Sequence, residues 1–181
     1  KLIQKKKENP DIKIYFITDE INNFYGSYDS KEIEELKENN ITVIITDLTK
    51  LKDSNPIYSS FWRIFLQPFG TKGDGWITHP LGKEDQKVTL RSFFKVLNTK
   101  ANHRKVIVAD QGNEIHSMVL SANPHEASSL HSNTAFLVKE QIWQDLIETE
   151  KAVAAFSNYK ITLPDLSKYK NQETIKQDQK D

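Results

Sequence analysis

Two short β-rich runs flanking one capped helical segment constrain this chain more than any other feature. Residues 12–18 (Ile-Lys-Ile-Tyr-Phe-Ile-Thr) and 41–45 (Ile-Thr-Val-Ile-Ile) are dense in β-branched and aromatic residues, and each is too short to read as a helix. Between them, Asp29 and Glu32 stand at capping-box spacing. They predict a helix running to about Glu38, stopped by Asn39-Asn40. A helix between two strands is a crossover, and a crossover joins parallel strands. Parallel pairs are covered on both faces by helices. The expected fold class is therefore α/β, with a mixed, mostly parallel β-sheet sandwiched between helices.

Further along, the pattern changes. Residues 106–109 read as a short buried strand with polar residues at both ends. The turn Gln111-Gly112-Asn113 leads into a second apolar run at 115–120, which ends in Ser121-Ala122-Asn123. A third strand is expected at 134–138, after the small-residue loop Ala127 to Ser129. The segment Asn102-His103-Arg104-Lys105 opens this hairpin. With Asp110 it spells His-x-Lys-x4-Asp. Alternate strand residues share a face, so His103 and Lys105 are expected to point the same way. An imidazole that can attack phosphorus beside an ammonium that can hold a phosphate oxygen suits phosphoryl transfer.

This order of elements resembles the phospholipase D superfamily, whose motif is His-x-Lys-x4-Asp followed by Gly-Ser-x-Asn. The resemblance runs from about Asp11 to Ser157, with its diagnostic residues between His103 and Asn133. It implies a phospholipase D-like lobe in which His103 is the nucleophile and forms a covalent phosphohistidine. Lys105 and Asn123 would bind phosphate oxygens, with Ser121 nearby and Asp110 as a supporting carboxylate. Two positions depart from the family pattern. Leu120 stands where Gly usually precedes the Ser, and Asn133 stands where many members place a Glu that accepts a hydrogen bond from the nucleophile. An amide oxygen at Asn133 would raise the basicity of His103 less than a carboxylate would. The implied chemistry requires no metal and no cofactor. It does require a second histidine as general acid, and none of the other four histidines is followed by Lys two positions on. The chain is thus expected to supply half of a site. The other half would come from a second lobe of the same full-length chain or from a homodimer.

Composition narrows the classes. At 181 residues the length prior gives one domain, expected as a catalytic lobe over 1–157 with a polar linker or tail over 158–181. The first residues read as helix interior rather than a natural start, so a piece of something longer is expected. Lys and Arg total 25, matching 25 Asp and Glu, and this zero balance argues against a dedicated nucleic-acid binder. With no cysteine, thiolate chemistry and disulfides are excluded. The histidines lack a compact metal-ligand spacing. No signal peptide and no run of eighteen apolar residues is visible. A cytoplasmic or membrane-associated location is expected.

Three further segments carry expectations. Residues 57–66 are aromatic and helical in pattern. Phe61, Trp62, Phe65, Phe69 and Trp76 fall close together beside a glycine-rich loop. They read either as core or as a lip that meets a membrane, the latter through Phe61, Trp62, Phe65 and Trp76. The run of Phe-Trp-Arg, Gly-x-Gly-Trp and Val-Thr-Leu-Arg ahead of the motif is similar to the cardiolipin synthase-type branch. That likeness implies a phospholipid substrate. Helices are expected at 88–97 and at 140–156, the latter with a stripe of Ile142, Trp143, Leu146, Ile147, Val153 and Phe156. Among the other histidines, His79 is expected to be exposed, His116 to lie in the second hairpin strand, and His125 and His131 to flank the small-residue loop with Glu126. The functional expectation is phosphodiester cleavage or transfer on phospholipids. A nuclease of the same superfamily, or a non-catalytic lobe that docks anionic headgroups, are the alternatives.

Overall fold

The computed structural model describes residues 1–27, 30–73, 75–79, 87–97, 100–123, 132–138 and 142–170. They form a mixed helix-and-strand protein that divides into two compact units. The first holds residues 1–102 and 156–159, and the second holds residues 103–155 with the described residues from 160 on.

In the first unit, helix α1 (Leu2–Glu8) ends at Asn9 and precedes strand β1 (Tyr15–Asp19). Helix α2 (Lys31–Glu38) carries the chain to strand β2 (Thr42–Thr46). As expected, β1 and β2 are parallel, in register from Tyr15 opposite Thr42 to Asp19 opposite Thr46. The cap of α2 is Ser30, while Asp29 lies outside the described residues. The Ser30 hydroxyl accepts the Ile33 N–H at 3.5 Å and donates to Glu32 at 2.7 Å. Past the helix, Asn40 sits at φ 57°, a left-handed conformation that its short polar side chain tolerates. Ile33, Ile41, Ile44 and Leu48 are buried, with Phe24 and Tyr25 completing the core. Each fully buried Leu or Ile side chain contributes about 1.5–3 kcal/mol. Both strands deliver an aspartate to a one-turn helix. Asp19 accepts the Ile21 N–H and Asp47 accepts the Thr49 N–H, each at 3.0 Å.

Helix α3 (Pro56–Phe65) is capped by Asn55, whose side chain accepts the Tyr58 N–H at 3.1 Å. Pro56 occupies the first turn, where its missing N–H costs nothing. Strands β3 (Ile77–Thr78) and β4 (Lys87–Val88) form a short antiparallel pair. Helix α4 (Leu90–Val96) follows. Thr89 accepts the Ser92 N–H at its start, and the Thr89 N–H donates to Ser27 at 2.9 Å.

The second unit contains β5 (Val106–Gln111), β6 (Glu114–Leu120) and β7 (Ala135–Val138), antiparallel and in that order. The turn between β5 and β6 is Gly112-Asn113, with Gly112 at φ 61°. Helices α5 (Ile142–Phe156) and α6 (Ser167–Lys170) complete the described chain. Of the expected α5 stripe, Trp143 is buried, but Ile142 and Phe156 are exposed.

The sheet expectation needs correction. Among the described residues the strands form three small sheets, and only β1 with β2 is parallel. The physical reason lies in the connections. A two-residue turn such as Gly112-Asn113 can join only antiparallel neighbours, so the single crossover near the start did not set the pattern downstream. No helix among the described residues is long and apolar enough to cross a membrane.

Candidate functional site

The register of the second unit positions the motif. Val106 lies opposite Val119 and Asp110 opposite Ile115. The ladder continues one pair before β5, where the Lys105 carbonyl accepts the Leu120 N–H at 3.0 Å. Side-chain alternation then puts Lys105, Ile107 and Ala109 on one face with Leu120, Met118 and Leu137. His103 lies three residues before β5, outside the strand ladder. His103 is exposed and Lys105 half-buried. The Lys105 ammonium folds back and donates to the His103 carbonyl at 3.1 Å.

Arg104, between them, is turned to another partner. Its guanidinium donates to Glu150 of α5 at 2.8 Å. Just before the motif, Asn102 is fixed by the first unit. Its N–H donates to Asp19 at 3.0 Å and its side-chain amide to Thr46 at 3.3 Å. Asn102, the last residue of this stretch of the first unit, is thereby anchored at the carboxyl ends of β1 and β2.

Ser121 and Asn133 are brought together on neighbouring chain segments. The Ser121 N–H donates to the Thr134 carbonyl and the Thr134 N–H donates to the Ser121 hydroxyl, both at 2.9 Å. That hydroxyl donates in turn to the Asn133 amide oxygen at 3.2 Å. The Ser121 hydroxyl thus donates to the oxygen that the sequence assigned to the His103 imidazole. Asn123 is exposed. Asp110 is not brought to His103. It sits near the far end of β5, seven residues on, which at ~3.3 Å per residue is roughly 23 Å.

The other histidines divide. His116 is exposed on β6, its Nε2 3.7 Å from Glu114. His79 is buried, contrary to expectation. Its ring lies 4.3 Å from that of Phe24, and burial holds its imidazole below the usual histidine range. A histidine before a proline in a glycine-rich loop carries no sequence signal of burial, because the aromatic neighbour is far away in sequence. His125, Glu126 and His131 lie outside the described residues. Among the described residues, no cluster of three or more His, Asp or Glu side chains could hold a metal ion.

Sequence reasoning missed one charged cluster in the first unit. Lys100 is only 8 % exposed. Its ammonium meets the Asp53 carboxylate at 2.5 Å and donates to the Leu51 carbonyl at 2.8 Å. Arg63 donates to both Asp53 oxygens at 2.8 Å. The Lys100 hydrogen bond chiefly holds the Asp53 carboxyl below the usual range. Lys95 pairs with Glu20 and lies over the rings of Trp62 (5.7 Å) and Tyr25 (6.0 Å). Burial, with Asp19 and Glu20 nearby, pushes the Tyr25 hydroxyl up to about 12. A cavity of about 20 Å³, room for one water, lies among these side chains. Isolated Lys, Asp and Arg codes read as solvated surface charges, so nothing in the sequence marks them. No protein-family model, curated protein or solved structure matches the chain.

Proposed function

We propose that this chain supplies one half of a phosphodiester-cleaving or phosphodiester-transferring site of phospholipase D type, acting on phospholipids. The observation that supports the reading is that the Lys105 ammonium folds back onto the His103 carbonyl while Arg104 between them is engaged by Glu150. An exposed imidazole and a half-buried ammonium thus come two residues apart, just before a strand.

In the first step a neutral His103 nitrogen attacks phosphorus, the N–P bond forms and the P–O ester bond breaks. Lys105 and Asn123 stabilise the charge on the phosphoryl oxygens. The leaving alkoxide takes a proton from a second imidazole, supplied by another lobe of the same design. That imidazole then removes a proton from water or an alcohol, which attacks phosphorus and releases His103. Ser121 and Asn133, hydrogen-bonded to each other, border the phosphate from the neighbouring strand ends. Asp110, exposed near the far end of β5, takes no part in the proposed step. The substrate class rests on the face that holds Lys105. Ile107 and Leu137 are each 54 % exposed there, flanking Met118 in one row. An apolar floor beside a phosphate clamp suits an amphiphilic diester better than a nucleic acid.

A p-nitrophenyl phosphodiester tests the nucleophile, because p-nitrophenolate leaves without a general acid. The full chain is expected to release one equivalent of p-nitrophenol in a burst and to retain an acid-labile phosphoryl group on His103. His103→Asn abolishes both. Lys105→Met slows the burst by roughly 10²-fold, in line with loss of one charge-stabilising group. An equal burst from His103→Asn would sink the assignment.

A further inference from the structure

Two expectations from sequence change in the structure. Trp62, read as core or as part of a membrane-facing lip, is core at 4 % exposure. Asn133, expected to accept a hydrogen bond from the His103 imidazole, accepts one from the Ser121 hydroxyl at 3.2 Å. The second change gives Asn133 a different part. Strands β6 and β7 pair in register up to Leu120 opposite Ala135. The next pair, Ser121 with Thr134, departs from the pattern. The Ser121 N–H donates to the Thr134 carbonyl at 2.9 Å, as a continued ladder requires. The Thr134 N–H, which would reach the Ser121 carbonyl in such a ladder, donates to the Ser121 hydroxyl at 2.9 Å. A side chain thus stands in for its own backbone carbonyl, and the ladder ends there.

A hydroxyl carries one proton. Its oxygen accepts from Thr134, so the Ser121 hydroxyl sends that proton to Asn133. The amide must then present its oxygen to Ser121 and turn its NH2 the other way. The Ser121 hydroxyl has no second proton to give a phosphate. Its contribution is to the chain it holds, and Asn123 follows two residues on. We infer that Asn133 is a positioning residue for Asn123. Asn133 holds the Ser121 hydroxyl, the hydroxyl ends the β6–β7 ladder, and Asn123 leaves the sheet from that fixed point. The phosphate-binding role of Asn123 rests on the proposed function, whereas the hydrogen bonds that hold Ser121 do not.

The test uses the full chain with Asn133→Leu, with Ser121→Ala, with both together, and with Ser121→Thr, which keeps the hydroxyl. Nitrogen relaxation of the backbone by NMR reads the positioning without any chemistry. Order at Ala122 and Asn123 is expected to fall in the first three variants and to hold in Ser121→Thr. Ser121 and Asn133 are exposed, so the melting temperature should hold in all four. With a p-nitrophenyl phosphodiester, Asn133→Leu and Ser121→Ala should each raise the half-saturating concentration of the burst about three- to fivefold, the loss expected of one hydrogen bond. The limiting burst rate should change less, because Asn123 meets the phosphate before and during the step alike. The combined variant should be no worse than either single one, since each breaks the same unit. In Asn133→Asp the His103 imidazole, titrated by NMR, should shift by less than about half a pH unit. A rise of a full unit or more would put residue 133 against His103 and overturn the inference. Unchanged order at Asn123 in both single variants overturns it as well. If the parent chain gives no burst while Asn123 loosens in the variants, the proposed chemistry falls and the positioning stands.

Discussion

Gly75→Ala is expected to destabilise the first unit by about 2–4 kcal/mol, through steric overlap alone. An alanine Cβ at this position would lie 2.4 Å from the Val88 nitrogen, 2.5 Å from the Lys87 carbonyl carbon and 2.7 Å from that of Val88. All three are backbone atoms, so no side chain can swing aside. Ordinary carbon contacts begin near ~3.5 Å, so the two chain segments must part by roughly 1 Å. Parting opens the pairs Ile77–Val88 and Thr78–Lys87 and uncovers Val88, which is fully buried. Two backbone hydrogen bonds are worth ~1 kcal/mol each, and burial of Val88 ~1.5–3 kcal/mol. Partial relaxation recovers some of that sum. In a unit of about 100 residues each kcal/mol shifts melting by ~4–8 °C, so a drop of roughly 10–25 °C follows. The comparison is Gly70→Ala. Gly70 has φ +67° with ψ −175°, a backbone conformation essentially reserved for glycine, and nothing within 4 Å of an added Cβ, so backbone strain of ~1–3 kcal/mol applies with no overlap. Thermal melts of the full chain, followed by near-ultraviolet circular dichroism, separate the two. If Gly75→Ala melts with the parent chain, the close approach of the two backbones is refuted.

Two further predictions concern buried groups. Burial depresses the His79 pKa, so the unfolded chain takes up a proton before the folded one does. Its contribution is intact above the ordinary histidine value of 6.5 and erodes as pH falls below it towards the folded value. The melting temperature should therefore fall between about pH 7.5 and pH 5.5, and His79→Phe should flatten that slope. An unchanged slope in the variant would exclude His79 as its source. Asp53→Asn removes the carboxylate facing buried Lys100, whereas Arg63→Met leaves that pair intact. The asparagine variant should lower the midpoint of urea unfolding more, and equal midpoints would remove Lys100 from the argument.

Local signals were legible where a single segment carries them. The crossover from β1 through α2 to β2 follows from residue type and spacing, and so do the Gly112-Asn113 hairpin and the end of α2 at Asn39. The sheet arrangement was not, because strand partners are chosen by connections and packing rather than by the strands' own composition. Of the candidate site, the strand that follows the motif, with its partner β6, could be read directly from residue type and the turn between them. The Ser121–Asn133 hydrogen bond could not, since it depends on how β6 and β7 end. The burial of Trp62, His79 and Lys100 was equally hidden. Each is enclosed by residues distant in sequence, and no local pattern distinguishes an enclosed Trp or Lys from an exposed one.

The ion pair between Arg104 and Glu150 bears on which phosphates the motif can tolerate. The run His-Arg-Lys looks like two cations beside the proposed nucleophile, yet Glu150 pairs with the first. Among the described residues, Lys105 then remains as the cation beside His103 in sequence with no carboxylate paired to it. A phosphodiester carries a single negative charge and is balanced by it. A phosphate monoester approaches two at neutral pH and would leave one unmatched. Under the proposed chemistry, discrimination between diesters and monoesters would then be a matter of charge balance, set by a glutamate on α5 whose ion-pair partner is Arg104 rather than His103.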